Sequence, residues 1–139
     1  DIKGKLSIPV IAAGGIMNKA HVDEMLELGA TYAQIGTALI TADECEANNL
    51  HKDAILSSQQ AETCITKAFT GKPARGLVNK FTEQLKDAPV APYPLQHHLT
   101  IKIRQFSGKS NRPEYLSLWM GENSFMAQRA SVKEILETF

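Results

Sequence analysis

The first fifty residues alternate between strand-like and helix-like hydrophobic patterns. Residues 8–12 are an unbroken apolar run, which is typical of a strand buried on both faces of a parallel sheet. Apolar residues then recur at helical spacing: Val22, Met25 and Leu26. Asn18 is placed to cap this helix and Gly29 to end it, and a second short strand is predicted at residues 32–35. The pattern therefore predicts a strand–helix–strand unit with parallel strands and a right-handed connection.

Further along the chain, capping patterns and apolar spacing predict several helices. Residues 41–44 have the Thr-x-x-Glu form of a capping box and residues 131–134 the Ser-x-x-Glu form, so each predicts a helix start. Residues 94–106 place apolar side chains at helical spacing. Pro113 suits the first turn of a short helix that runs through Trp119. The second half of the chain is therefore predicted to be mainly helical.

Residues 71–76 contain two glycines and a lysine, but they do not form a nucleotide-binding P-loop. That motif ends in Gly-Lys-Ser/Thr, whereas the second glycine here is followed by leucine. A helix is predicted to begin near Ala74, which would place Arg75 and Asn79 on one face. Residues 86–94 contain three prolines and are predicted to be an irregular connection.

Composition and charge exclude several classes of function. The 15 basic and 15 acidic residues cancel, so no net field favours nucleic acid or an anionic membrane. No apolar stretch approaches the roughly 20 residues that a membrane span needs. Cys45 and Cys64 form no CxxC motif, which predicts buried reduced thiols instead of a zinc site and, with the other features, a cytoplasmic protein.

The four histidines predict no metal site. His97 and His98 are adjacent in a predicted helix, where neighbouring side chains point about 100° apart, so they cannot easily chelate one ion. His21 and His51 fall on the polar sides of predicted helices. We therefore expect both of these side chains to be solvated.

Two glycine turns follow the two predicted strands, at Gly14-Gly15 and at Gly36-Thr37. In parallel α/β folds, ligands bind beyond the carboxyl ends of the strands. Both turns precede helix N-termini, whose free N–H groups attract anions. Glycine lets the backbone approach phosphate oxygens, and the Thr37 hydroxyl adds a donor. The turns therefore predict a phosphate site, although glycines that only satisfy turn geometry remain the alternative.

Several separated segments resemble the nitronate monooxygenases, formerly called 2-nitropropane dioxygenases. IPVIAAGGI at 8–16 and LELGATYAQIGTALI at 26–40 resemble the flavin-phosphate half of that family. TKAFTGKPARGLVNKF at 66–81 resembles its TxAFTGRPARGLxNxF segment. PYPLQ at 92–96 resembles PYPxQ, and LWMGE at 118–122 resembles LWAGQ, with Glu where Gln is usual. The resemblance covers nearly the whole chain in the family's order.

This resemblance implies an α/β fold that is the C-terminal portion of a (β/α)8 barrel. Residues 1–60 would form the last strand–helix units with the phosphate-binding loops, and residues 61–139 a mainly helical segment packed on the barrel. A whole barrel needs about 250 residues, and this chain has 139 and opens on Asp1 without a methionine. We therefore expect the chain to be cut from a longer one.

The resemblance also implies a function: FMN-dependent oxidation of alkyl nitronates by O2 to a carbonyl compound and nitrite. The family's catalytic histidine would lie upstream of residue 1, so no catalytic residue is expected in this chain. The expected partners are the nitronate, O2, and the missing barrel half or a second copy of the chain. The residues expected to hold FMN are Gly14, Gly15, Gln34, Ile35, Gly36 and Thr37.

Two other functions stay open. The flavin-dependent enoyl reductase of fatty-acid synthesis shares the PVIAAGGI and GT elements, although the RGLVNKF, PYP and LWMG segments favour the oxygenase. A truncated flavin-binding fragment without activity is the second alternative. Arg75 and Asn79 either brace a loop over the flavin mouth or pair the C-terminal segment with the barrel. Trp119 is either a packing anchor or a stacking platform.

Overall fold

The predicted strand–helix–strand unit opens the fold. The structure is a computed structural model that describes residues 3–139. Strand β1 covers Ile11–Ala13, helix α1 covers Lys19–Glu27 and strand β2 covers Tyr32–Gln34. The two strands are parallel, with Ala12 opposite Ala33. The sequence prediction of a parallel pair joined by one helix is therefore confirmed, and the fold is α/β.

Local sequence signals set both ends of α1. The Asn18 side chain accepts a hydrogen bond from the backbone N–H of His21 at 3.0 Å. Leu28 is the C-cap residue after the last helical position, and Gly29 follows it with a φ of 103°. That left-handed conformation suits glycine and ends helices in many proteins. Both predicted ends are confirmed.

The expected burial of β1 on both faces is not observed. Ile8 is 66% exposed, Ile11 59% and Tyr32 60%. Strands of a parallel sheet are buried when helices or further strands cover both faces. Among residues 3–139, however, β1 pairs with β2 alone in a two-stranded sheet. The prediction of burial is therefore wrong for this chain by itself.

The predicted capping box at residues 41–44 is wrong. Helix α2, Thr37–Ile40, begins directly after Gly36, and helix α3, Asn49–Leu56, begins beyond residue 44. Thr41 ends α2 and is fully buried, with its hydroxyl 2.8 Å from the carbonyl oxygen of Gln128. This contact buries Thr41 against a segment distant in the chain, and Asn48 caps α3 instead by accepting from the Leu50 N–H at 2.8 Å.

A second, antiparallel sheet replaces the helix predicted near Ala74. Strand β3, Thr63–Thr66, pairs with strand β4, Ala74–Leu77, and Trp119 bridges the other edge of β4 at Gly76. A Cβ at Gly76 would lie 2.9 Å from the backbone oxygen of Leu118. Glycine therefore permits this close backbone approach, and tertiary pairing overrides the helical spacing.

The later helices agree with the sequence in part. Helix α4 covers Lys80–Gln84 and helix α5 covers Leu95–Lys109, and the predicted irregular connection lies between them. Pro113 begins a 3-10 helix as expected, but it ends at Tyr115. Helix α6, Val132–Leu136, opens on the predicted Ser131–Glu134 capping box, in which both reciprocal hydrogen bonds are present. Two further 3-10 helices are Lys3–Lys5 and Ser124–Met126.

Helix α5 buries a polar face. Gln96 donates to the carbonyl oxygen of Ala68, and Thr100 donates to that of Phe69, each at 2.6 Å. Buried backbone carbonyls require such donors, so these bonds orient the helix. Its apolar positions are exposed: Leu95, Leu99, Ile103 and Phe106.

Three small hydrophobic clusters hold the chain together. The first lies where α2 packs against α6 and includes Met17, Ala38 and Ile135. The second joins Ile55 of α3 to Leu118 and Met120, and the third packs Phe69 against Phe81 and Trp119. Residues on both sides of position 60 therefore pack together, and the division into residues 1–60 and 61–139 stays a prediction. No helix among residues 3–139 is long and apolar enough to cross a membrane.

Candidate functional site

The two glycine turns lie side by side at one edge of the parallel sheet. Ala13 and Gln34 are the last paired residues of β1 and β2, so both strands end at the same level. Gly14 has a φ of 106° and Gly15 a φ of 69°. Both values lie in the left-handed region that disfavours other residues. The turn after β1 therefore depends on its glycines.

A small pocket of about 140 Å³ opens between these turns. Five of the six residues predicted to hold a phosphate line it: Gly14, Gly15, Gln34, Gly36 and Thr37. The side chain of Ile35 packs against the cluster around Met17 and Ala38 instead. No acidic side chain is among the described residues that line the pocket. The pocket therefore offers an anion neutral donors without a repelling carboxylate.

Gly36 leaves room inside this pocket. A Cβ built at Gly36 would meet no atom within 4 Å. Gly36 is also the residue before α2, and no side chain caps that helix. The first N–H groups of a helix have no partner within it. The Leu39 N–H donates to the Gly36 carbonyl oxygen at 3.0 Å, which leaves the N–H groups of Thr37 and Ala38 for a ligand at this position.

A turn near the end of the chain, Gly121 to Asn123, closes the pocket. The backbone N–H of Gly121 donates to the hydroxyl oxygen of Thr37 at 2.8 Å. The side-chain amide of Asn123 donates to the carbonyl oxygen of Gly15 at 2.7 Å. Sequence reasoning assigned neither residue to the site. The one available signal was the resemblance of residues 118–122 to the LWAGQ motif.

A larger cavity of about 520 Å³ adjoins the same glycine turns. Its walls include Gly14, Gly15, His21, Arg75 and Glu122. A guanidinium nitrogen of Arg75 lies 3.7 Å from a carboxylate oxygen of Glu122. Another guanidinium nitrogen of Arg75 donates to a threonine hydroxyl of β3 at 3.1 Å. Arg75 therefore stands at a cavity wall while also pairing with the second sheet.

Asn79 and Trp119 have structural contacts. The Asn79 side chain caps α4 by accepting from Thr82 N–H at 3.1 Å, and its amide donates to the Leu116 carbonyl at 2.8 Å. Trp119 meets Phe69 edge-on, with ring centroids 5.3 Å apart. Neither residue lines the pocket or the larger cavity beside the glycine turns. The contacts of Trp119 are those of a packing anchor, and the contacts of Asn79 are structural but lie within residues 61–139 and not between this segment and the parallel strands.

His21 and His51 form hydrogen bonds to the backbone that the sequence does not predict. Nδ1 of His21 accepts from the backbone N–H of Met17 at 3.3 Å, and Nε2 of His51 lies 2.7 Å from the Trp119 carbonyl oxygen. Both rings are half-buried, so the expectation of solvated side chains is wrong. Among residues 3–139, no group of three or more histidines, cysteines and acids could hold a metal ion.

His97 pairs with Arg104 of the same helix. A guanidinium nitrogen of Arg104 lies 3.2 Å from Nδ1 of His97. Partial burial lowers the pKa of Arg104 below its usual value. The His97 and His98 rings stand 5.6 Å apart at an angle of 80°. The two rings therefore meet edge to face.

Comparisons with known proteins identify the family. The family model "Nitronate monooxygenase" matches residues 1–139. The chain is 37% identical over 134 residues to a probable nitronate monooxygenase of Staphylococcus haemolyticus and covers 38% of it. It is 40% identical over 134 residues to a probable nitronate monooxygenase of Bacillus subtilis and covers 39% of it. These matches span 95% and 94% of this chain.

Solved structures show the same relationship. A nitroalkane oxidase from Streptomyces ansochromogenes matches 99% of the chain with a TM-score of 0.93 and 38% identity. FabK from Thermotoga maritima matches 99% of it with a TM-score of 0.80 and 25% identity. The chain covers 40% and 44% of these two structures. It belongs to the nitronate monooxygenase family and spans about two fifths of the length of the relatives it matches.

Proposed function

We propose that the pocket between the glycine turns holds the phosphate of FMN in an enzyme that oxidises alkyl nitronates with O2. The products would be a carbonyl compound and nitrite. The observation that supports this most directly is the convergence of two glycine turns and the Thr37 hydroxyl on one pocket at the ends of parallel strands. Membership of the nitronate monooxygenase family supports the reaction class.

The residues around the pocket suit a phosphate group. Backbone N–H groups and a hydroxyl can donate to its oxygens, and no described lining residue is acidic. A Cβ at Gly36 would find open space, so the backbone of that turn is accessible, whereas Gly15 is required by its positive φ and its contact with Asn123. The residues that would hold the group are Gly14, Gly15, Gln34, Ile35, Gly36 and Thr37. FMN, when bound, would supply the redox chemistry.

We infer that β1 and β2 are the last two strands of a (β/α)8 barrel. Barrel enzymes often hold phosphate in the loops after these strands. The exposed faces of Ile11 and Tyr32 would be covered by neighbouring barrel strands and helices. The relatives are long enough to supply them, because this chain covers only 38% to 39% of those compared above. The catalytic base would then come from outside the present chain.

Two measurements test the reaction. Oxygen consumption with an alkyl nitronate is recorded for the complete barrel protein and for the 139-residue chain alone. We expect turnover from the complete protein and none from the chain alone, because a general base and oriented binding are each worth orders of magnitude in rate. The chain alone is expected to bind FMN weakly.

Each outcome has a meaning. If the FMN-loaded complete protein consumes no oxygen when an alkyl nitronate is added, the proposed reaction is overturned. Turnover of the isolated chain near the complete protein's rate would place the chemistry on residues assigned here to structure, with His97 and Arg75 first. Reduction of an enoyl thioester, without nitronate turnover, would favour the enoyl reductase alternative.

A further inference from the structure

The Gly121–Asn123 turn contacts both phosphate loops through one hydrogen bond to each. Gly121 N–H donates to Thr37 after β2, and the Asn123 amide donates to the Gly15 carbonyl after β1. The two acceptors belong to different strands, so one turn fixes the relative position of both loops. The first residue of the turn donates at 2.8 Å and the third residue donates at 2.7 Å.

The turn is itself held on both sides. Trp119 bridges Gly76 of β4, and Met120 is buried in the cluster that contains Ile55. On the other side, Ser124 is fully buried, with its hydroxyl 3.0 Å from that of Ser58. A turn anchored before and after itself can position the loops that it contacts. A mobile turn could not do so without an entropic cost.

The hydrogen bond from Gly121 determines what the Thr37 hydroxyl can do. A threonine hydroxyl has one proton to donate and can also accept. Because a backbone N–H can only donate, the Thr37 oxygen is the acceptor in this pair. No acceptor for the Thr37 proton is found among residues 3–139. The proton therefore remains available for a ligand in the pocket that Thr37 lines.

Close packing explains why position 121 is glycine. A Cβ at Gly121 would lie 3.3 Å from the Thr37 hydroxyl oxygen and 3.6 Å from the Gly15 nitrogen. A Cβ at Gly15 would lie 3.2 Å from the Asn123 amide nitrogen. The Gly15 turn, the Thr37 loop and the Gly121–Asn123 turn therefore pack too closely to admit a side chain at position 15 or 121 without movement. A larger residue at position 121 would push Thr37 and the first glycine turn apart.

We propose that Gly121 and Asn123 are positioning residues of the phosphate pocket. Gly121 N–H orients the Thr37 hydroxyl so that it donates to a phosphate oxygen, and Asn123 holds the Gly15 turn at the distance that a phosphate monoester needs. This proposal rests on the proposed function and extends it to a segment outside the two strand-end loops. Chains of hydrogen bonds strengthen one another, so the donor to Thr37 also improves its donation.

The test compares FMN with riboflavin, which has the same ring system and no phosphate. Dissociation constants for both flavins are measured by fluorescence quenching in the complete protein and in its Asn123→Ala, Gly121→Ala and Thr37→Val variants. We expect each variant to bind FMN about tenfold or more weakly while its affinity for riboflavin stays unchanged. Thr37→Val removes a hydrogen bond to a charged phosphate, which is a strong one. Gly121→Ala displaces the Thr37 hydroxyl by crowding it, and Asn123→Ala releases the Gly15 turn. Thr37→Ser, which keeps the hydroxyl, should restore FMN binding.

Matched controls make the same kinds of substitution at positions away from the pocket. Asn49→Ala changes an exposed asparagine at the start of α3. Gly108→Ala adds a Cβ in α5 whose nearest neighbour would be an ordinary 3.7 Å away. Neither control should change the ratio of the two dissociation constants. The ratio does not depend on the fraction of protein that is folded, so a partly unfolded variant still gives an answer.

The possible results separate this proposal from the proposed function. Equal weakening of both flavins by Asn123→Ala and Gly121→Ala would show a general structural role and overturn the positioning role. Unchanged FMN binding in those variants would overturn it while leaving the FMN site intact. Equal affinities of the unaltered protein for FMN and riboflavin would instead overturn the proposed phosphate site.

Discussion

The hydroxyl oxygen of Thr37 accepts a hydrogen bond at 2.8 Å from the backbone of Gly121, which lies 84 positions later in the chain. This bond joins the loop after β2 to the last third of the chain at the edge of one pocket. A change in either segment therefore reaches the same pocket. The C-terminal segment is part of the candidate site and not only a support for it.

We expect a negative charge at position 36 to weaken FMN binding. Gly36→Asp would place a carboxylate in the open space of the pocket. Repulsion of a phosphate there is worth roughly 2 kcal/mol or more, or about thirtyfold in Kd. Gly36→Asn is the control, because it adds the same bulk to the pocket without the charge. FMN dissociation that is unchanged in Gly36→Asp would contradict the phosphate assignment.

Gly71→Ala should destabilise the protein. Gly71 has a φ of 84°, and a Cβ there would lie 2.5 Å from the backbone oxygen of Ala91. Strain and overpacking of this kind cost about 1–3 kcal/mol. Urea denaturation measures the loss, with Gly108→Ala as the control at an ordinary contact distance. Equal stability of the two variants would show that the connection between α4 and α5 moves aside at little cost.

The capping box of α6 should respond to acid. Hydrogen bonds from Ser131 hold the pKa of the Glu134 carboxyl below its usual range. A group with a lowered folded pKa stabilises the fold above its unfolded pKa and loses that effect as pH falls through the folded value. We therefore expect the stabilisation from this cap to be present at neutral pH and to be lost as the pH falls through the lowered pKa of Glu134.

NMR titration of the Glu134 carboxyl carbon measures this behaviour. Ser131→Ala removes both hydroxyl contacts to Glu134 but keeps the backbone N–H that donates to its carboxylate, so it should raise the pKa only part of the way towards its ordinary range. Glu134→Gln should leave the Ser131 amide resonance independent of pH in the acidic range. A Glu134 titration that is the same with and without the Ser131 hydroxyl would refute the cap as its cause.

The 139-residue chain by itself should associate in solution. Ile8, Ile11 and Tyr32 are each 59% or more exposed around a two-stranded sheet. Open strand edges and exposed apolar faces favour association. Sedimentation velocity should detect oligomers, and Ile11→Lys should reduce them because it places a charge on the exposed face. A compact monomer of the unaltered chain would count against the inferred barrel neighbours.

Local signals were sufficient where neighbouring residues decide the structure. Asn18 caps α1, and Ser131 with Glu134 caps α6, through hydrogen bonds between residues three positions apart. Gly29 ends α1 because its backbone adopts a positive φ. The order of strand, helix and strand followed from the same local pattern. The position of the two glycine turns at the strand ends therefore followed from the order of residue types alone.

By itself, the sequence determined this parallel unit, its glycine turns and the family that its motifs resemble. Only the tertiary structure decided that Thr41 is buried against Gln128 instead of capping a helix, and that Ala74–Leu77 is a strand. It also decided that Gly121 and Asn123 close the pocket. All of these outcomes have the same physical reason. They depend on hydrogen bonds between segments far apart in the chain, and the local spacing of residue types does not predict such bonds.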